Sequence, residues 1–345
     1  MGGQVSTDAA QDLVRARGPY FDELRHGQIF DDAPGVTLTE GAAAVHQAIV
    51  GDRLALATDH ELGRRLSGRG ELAHPAYVWD VAIGQSTVAT RFVRANLFYR
   101  GLVFRRFPCL GDTLHTRTEV VGLKQNGTRP GRPRTGLAAL RITTVDQHGN
   151  QILDFHRCAM LPLGPDAPDT GHADELSALG RDAVDLTSAL AGLNLGALAR
   201  RPRPALPAAG SRIEVVGGDV VTSAPELARL TLNLAHVHHD ARSAGGRRLV
   251  YGGHTIGLAA AQAVRALPGI VTILGWESCD HTGPVHEGST LRSTVTVLRG
   301  TPYRENLHVV DLRSTVTAEP ERNHGVPSAP AAAATVLDWR FSALM

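Results

Sequence analysis

An internal repeat constrains this chain more than any other feature of its sequence. Gly63-Arg64-Arg65-Leu66 returns 183 positions later as Gly246-Arg247-Arg248-Leu249, and Thr37-Leu38-Thr39-Glu40 is echoed at the same spacing by Val220-Val221-Thr222-Ser223. Leu153-Asp154-Phe155 returns after 184 positions as Leu337-Asp338-Trp339, and Gly111-Asp112-Thr113-Leu114 after 177 as Gly288-Ser289-Thr290-Leu291. Each match alone is weak. Together they keep one order and nearly one offset, the mark of a duplicated unit. A length of 345 residues leaves room for two units of roughly 150 residues each.

The two units carry the same plan. Residues 1 to 18 read as a loose arm, and the first unit extends to residue 163. Within it, Thr39-Glu40 marks a helix start before an Ala-rich run. Pro75 heads AYVWDVAIGQSTVA, whose apolar spacing predicts a buried helix with proline in its first turn. LFYRGLVFRRF, DTLHTRTEVVGLKQ, RTGLAALRITTVDQ and ILDFHRCAMLPL then alternate roughly with period two between Gly, Pro and Asn signals, as antiparallel strands do. Residues 164 to 210 change to Pro, Asp, Gly and Ala and read as a linker, with some helix near Ser188 to Leu198. The second unit, 211 to 345, repeats the order. SRIEVVGGDVVTS predicts a strand, APELARLTLNLAHVHH a helix and IGLAAAQAVRAL a buried helix; four more strands follow, with ERNHGVPSAPAAAA as a loop. The fold class is therefore α+β, with strands wrapped around one central helix per unit.

Charge and cysteine usage narrow the partners. Lys and Arg number 35 against 34 Asp and Glu, so no whole-protein field favours nucleic acid or an anionic membrane. Three scattered cysteines argue against a disulfide scaffold or a zinc knuckle and fit a reducing cytoplasm. No run approaches the ~18 apolar residues of a membrane span. The opening MGGQVS matches the myristoylation pattern at Gly2 and Ser6, but no polybasic segment follows to complete an anchor. A small molecule is the expected partner, without metal or cofactor.

Chemistry concentrates in residues 230 to 260. Asn233, His238 and Asp240 precede Arg247-Arg248 and then Tyr251-Gly252-Gly253-His254 at the head of an apolar helix. A glycine pair opening a helix leaves backbone N–H groups free at the positive end of the helix dipole, suited to a developing oxyanion. An imidazole just upstream, with a reference pKa near 6.5, supplies or removes a proton. Most of the 16 histidines must be structural, and Asn233 and the glycines also have plain capping and packing roles.

With its N-x-A-x-x-H element and GRRLVYGGH turn at 246 to 254, the chain resembles the MaoC-like hydratases of the hot-dog fold. Among them it is similar to the two-copy mesaconyl-CoA hydratases, also called β-methylmalyl-CoA dehydratases, over nearly its whole length. The resemblance implies a double hot-dog fold, two antiparallel sheets each wrapped around a central helix, and a homodimer that hydrates an enoyl-CoA thioester. It implies His238 and Asn233 at the positions of a catalytic His and Asp, and Gly253 as N–H donor to the thioester oxygen. Asn at the Asp position is a feature of the mesaconyl-CoA branch, but an amide takes no proton at neutral pH. Arg247, Arg248, Tyr251, Gly252 and His254 are expected to touch substrate, with Arg247, Arg248 or Arg105 meeting CoA phosphate or a terminal carboxylate. The first copy has no matching His. It offers Asp52 and Asp59, and the resemblance gives it the task of shaping the cleft.

Three other readings stand beside this one. His236-x-His238-x-Asp240 spells the start of a metallo-β-lactamase-type zinc run, but Ala241 stands where that run requires His. A thioesterase on the same fold would want a carboxylate near the glycine turn. A non-enzymatic acyl-CoA-binding protein is the third.

Overall fold

The computed structural model describes residues 16–182, 185–198, 204–319 and 333–345. The myristoylation pattern at Gly2 and Ser6, and most of the loop expected at 321–334, lie outside them.

Local signals set the elements of the first copy. After β1 (Ile29–Phe30) and β2 (Val36–Thr37), the Thr39 side chain caps α1 (Glu40–Val50) by accepting the Ala42 N–H, and Gly51 closes the helix in the left-handed region at φ 68°. Two short helices follow, α2 (Ala55–Thr58) and α3 (His60–Ser67). The central helix α4 (Pro75–Gln85) begins at its proline, and every one of its residues is buried. Four long strands then wrap it: β3 (Ala95–Phe104), β4 (Thr113–Gln125), β5 (Thr135–Val145) and β6 (Gln151–Pro162).

The second copy repeats this order with β7 (Arg212–Glu214), β8 (Asp219–Val220), α5 (Ala224–Leu230) and the central helix α6 (Gly252–Ala266). Its long strands are β9 (Thr272–His281), β10 (Thr290–Pro302), β11 (His308–Glu319) and β12 (Ala334–Leu344). No described helix is long and apolar enough to cross a membrane.

Three expectations change. The strand predicted over SRIEVVGGDVVTS splits into β7 and β8 around Gly217, whose φ is 86°. The linker holds two 3-10 turns, Ser188–Gly192 and Leu195–Leu198, in place of one helix. The helix predicted over 224–239 stops at Leu230. There the Thr231 hydroxyl donates back to the Leu227 carbonyl, Leu232 turns left-handed at φ 57°, and the Asn233 side chain accepts the Ala235 N–H. Side-chain bonds to the local backbone thus outcompete helix continuation, and Asn233 and His238 do not share a helix.

The two copies form one continuous antiparallel sheet, ordered β1-β4-β5-β6-β3-β9-β12-β11-β10-β7. The junction is β3 against β9, where Tyr99 faces Cys279 and Leu102 faces Trp276. Arg100 reinforces it with a 2.6 Å ion pair to Asp280. The core is continuous as well. Trp79 of α4 lies edge-on to Trp276 of β9 at 4.8 Å and to Trp339 of β12 at 6.3 Å, all three fully buried, so the first copy's helix packs onto the second copy's strands.

Gly84 marks how closely the copies approach. A Cβ there would sit 1.7 Å from the Thr231 carbonyl oxygen, a backbone atom, whereas Gly41 on α1 has open space around it. Gly84→Ala is expected to lower the unfolding free energy by at least about 2 kcal/mol, the scale of overpacking. Gly41→Ala should leave it unchanged or raise it by up to about 1 kcal/mol. Urea titration of the two variants reads the contrast.

Candidate active site

The loop between α5 and α6 builds one wall of a cavity. Asn233 is buried, and its Oδ1 accepts the Ala235 N–H at 2.9 Å, which leaves its Nδ2 as the donor end. Three residues on, the chain turns through a 3-10 helix, His236–His238, anchored to the first copy by the His236 N–H donating to the Arg91 carbonyl. His238 Nδ1 lies 2.8 Å from the Leu249 carbonyl oxygen. Because a carbonyl only accepts, Nδ1 carries the proton, and Nε2 of the neutral ring keeps its lone pair. The Leu249 N–H returns a bond to the Val237 carbonyl, which fixes both segments.

The start of α6 builds the facing wall. Gly252 and Gly253 are its first two residues, and their N–H groups precede the first intrahelical acceptor. Gly252 lines the cavity, and a Cβ there would fall 2.6 Å from His281 Nε2. Gly253 lies behind it, buried, where a Cβ would come within 2.0 Å of Asp80 Oδ1. Asp80, from α4 of the first copy, takes a hydrogen bond from the Tyr251 hydroxyl at 3.1 Å and has His46 Nε2 at 2.9 Å. Burial raises the Asp80 carboxyl above the usual range, while His46 pulls it back down. Tyr251 stays protonated, since burial and then Asp80 push its phenol well up. This buried chain ties the head of α6 to the first copy.

Between the walls is a cavity of about 590 Å³, with three arginines (Arg94, Arg157, Arg247), three histidines (His238, His281, His286) and no carboxylate among its described lining residues. The structure brings together His238, Asn233, Tyr251, Gly252 and Arg247 of the residues singled out from sequence. Gly253, Arg248, His254 and Arg105 do not line it. Gly253 makes room for Asp80. Arg248 turns outward to a 2.9 Å ion pair with Glu287. His254 is fully buried within α6 with both ring nitrogens unpartnered, because it falls on the helix face turned into the core. The H-x-H-x-D run is committed locally: His238 to Leu249, and Asp240 to capping the turn Ala241–Ala244 and pairing with Arg242.

Sequence reasoning missed the first copy's share of this cavity, which includes Ile83, Thr87, Tyr99 and Arg157. Arg157 did leave a signal, as a cation at an inward register of an apolar strand. Asp52 likewise accepts the N–H two residues ahead, from Leu54, as Asn233 does from Ala235. It is closed off by a buried 2.8 Å bond to His74.

Burial sets the protonation of the site. Desolvation is the leading cause that lowers His238, His254 and His281 to about 4. For His238 the Leu249 bond opposes this, and the charges of His239 and Arg157 add to it. Unfolded, each would titrate near 6.5, so between about pH 6.5 and 4 the unfolded chain binds more protons than the folded one. Their contribution to stability is complete above pH 6.5 and is lost as pH falls toward 4, by about 3 kcal/mol per residue at full extent. His254→Leu removes one of these titrations and two unpartnered ring nitrogens. Denaturant titrations from pH 7 to 4.5 should therefore show a shallower fall for the variant and equal or greater stability at pH 7.

No family model matches the sequence. The chain is 28% identical to a β-methylmalyl-CoA dehydratase of Chloroflexus aurantiacus, with 95% of this chain and 97% of that protein covered. It is 27% identical to a mesaconyl-CoA hydratase of Cereibacter sphaeroides, covering 81% and 83%. Among solved structures it matches RV0216 of Mycobacterium tuberculosis, a conserved protein with a double hotdog fold, at 54% identity and a TM-score of 0.88, over 96% of this chain and 99% of that one. A putative MaoC domain dehydratase of Chloroflexus aurantiacus superimposes with a TM-score of 0.79 at 26% identity, over 95% and 97%. The repeated sheet, the central helices and these relatives establish that the chain belongs to the two-copy, double hot-dog family of MaoC-like hydratases and dehydratases.

Proposed function

We propose that the cavity catalyses the reversible hydration of a short branched or dicarboxylic enoyl-CoA thioester, with His238 as general acid and base. The observation that carries this reading is the Nδ1–H bond from His238 to the Leu249 carbonyl, which leaves an unprotonated Nε2 on a cavity-lining ring. Hydration of a double bond conjugated to a thioester needs a base to activate water at the β-carbon, an acid for the α-carbon and donors for the enolate-like oxygen. His238 takes the proton from water. Asn233 offers its Nδ2–H to orient that water or the acyl group. The Gly252 N–H at the head of α6, on the cavity lining, polarises the thioester carbonyl. Exposed Arg94 and Arg247 on the cavity lining suit the anionic part of CoA. A thioesterase reading is disfavoured, since no carboxylate is among the described residues that line the cavity.

The names of two relatives, which specify β-methylmalyl-CoA and mesaconyl-CoA, support that choice of substrate class. Incubation with a panel of enoyl-CoA thioesters, followed by loss of double-bond absorbance and by mass, tests the reaction. Water addition without thiol release is the expected result, and thiol release alone would overturn it. His238→Ala should lower kcat by at least about a hundredfold, the usual scale of lost acid–base catalysis. Since His238 sits at about 4, the acid limb of kcat/KM should fall near pH 4 and not near 6.5. A limb near 6.5 that persists in His238→Ala would assign the proton transfer elsewhere.

A further inference from the structure

Arg157 lies on the helix-facing side of β6, between Phe155 and Ala159 in the strand's alternation, and both of those neighbours belong to the main apolar core. Its counterpart in the second copy, at the 184-residue offset that relates Asp154 to Asp338, is Phe341, a fully packed core side chain stacked 3.9 Å from Trp339. The first copy thus carries a cation where the second carries a phenyl ring. The side chain is 2% exposed, and no carboxylate lies within ion-pair distance of it among the described residues. Its Nη2 donates to the Ser86 carbonyl at 3.1 Å and to Thr90 Oγ1 at 2.7 Å, whereas Nε finds no acceptor. A buried guanidinium without a counter-charge is unfavourable in an apolar setting. This one lines the cavity beside Tyr99, across from His238.

We propose that Arg157 recognises a carboxylate on the acyl group, so that the cavity selects thioesters whose acyl chain ends in an anionic group over uncharged ones of the same shape. The inference rests on the acyl-thioester reading of the cavity and deepens it. In a four-carbon enoyl chain that ends in carboxylate, the anionic group is one bond from the β-carbon that receives water. The cation that holds it must therefore share a pocket with the base. Arg157 meets that condition: its charge is near enough to His238 to help keep the imidazole neutral. Arg94 and Arg247, both exposed, remain free for the phosphates of CoA.

Two stable thioethers separate this inference from the reaction, because neither has a thioester or a conjugated double bond: S-(3-carboxypropyl)-CoA and its uncharged isostere S-(3-carbamoylpropyl)-CoA. Calorimetric titration of the wild-type protein should give at least about tenfold tighter binding of the carboxylated ligand, the scale of a charge-assisted hydrogen bond. Arg157→Gln should abolish that preference by weakening the carboxylated ligand toward the affinity of S-(3-carbamoylpropyl)-CoA. Arg157→Lys, which keeps the charge but not the planar fork, should retain part of it. Thermal unfolding of each variant establishes that it is folded, and the wild-type ratio stands as a test whether or not Arg157→Gln folds. Equal wild-type affinities, or a preference that survives in Arg157→Gln, would overturn the carboxylate inference while leaving the hydratase reading intact. Failure of both ligands to bind would remove the acyl-thioester reading and this inference with it.

Discussion

The pairing of β3 with β9 is the contact on which the rest of the molecule depends. Two strands from different copies meet in antiparallel register, and each covers an edge that would otherwise present unpaired N–H and C=O groups to another chain. Their union brings the concave faces of the copies side by side, so that Trp79 packs against Trp276 and Trp339 of the other copy. It also places Tyr99 and Arg157 of the first copy opposite the loop that carries His238. The cavity is therefore a product of the junction and belongs to neither copy alone.

A second inter-copy contact sets the geometry of the chemistry. The Asp80 carboxyl reaches from α4 to the head of α6, accepts from Tyr251, and occupies the space that a side chain at position 253 would need. The glycine pair thereby serves two ends. Gly252 brings backbone close to the cavity, and Gly253 lets a buried carboxyl from the neighbouring copy lock the helix in place. Duplication has let the copies diverge: the second keeps the imidazole, and the first supplies a cation and the buried anchor. Neither half could be exchanged for the other at Arg157 and Phe341 without placing a charge in a core or a phenyl ring in a pocket.

Electrostatics and burial point the same way. A cavity with three arginines and no carboxylate among its described lining residues attracts anions, and its low polarisability keeps His238 and His281 neutral near pH 7. The His238 imidazole is held neutral with its tautomer fixed by the Leu249 carbonyl, the state that the proposed role as base requires. The stability lost toward pH 4 is the counterpart of that neutrality, since the same desolvation that frees Nε2 opposes protonation of the folded state.

The duplication, the long strands, the two central helices and the segment that carries Asn233, His238 and the glycine pair were all legible in the sequence. Each rests on local chemistry: period-two alternation, a Thr cap, a Pro at a helix start, Gly before a helix. The sequence misled wherever a local signal had two outcomes. The 224–239 run reads as helix but breaks at Thr231 and Leu232. His254 and Arg248 stand beside the site in sequence yet point into the core and out to Glu287. The parts that lay beyond sequence were those joining residues far apart along the chain. Arg157 and Asp80 enter the site only because β3 pairs with β9 and α4 packs on the head of α6. Composition and spacing along one chain determined what each copy folds into. Only the tertiary packing of two unlike copies decided which side chains face the cavity, because direction and proximity across a junction are not encoded in any single stretch.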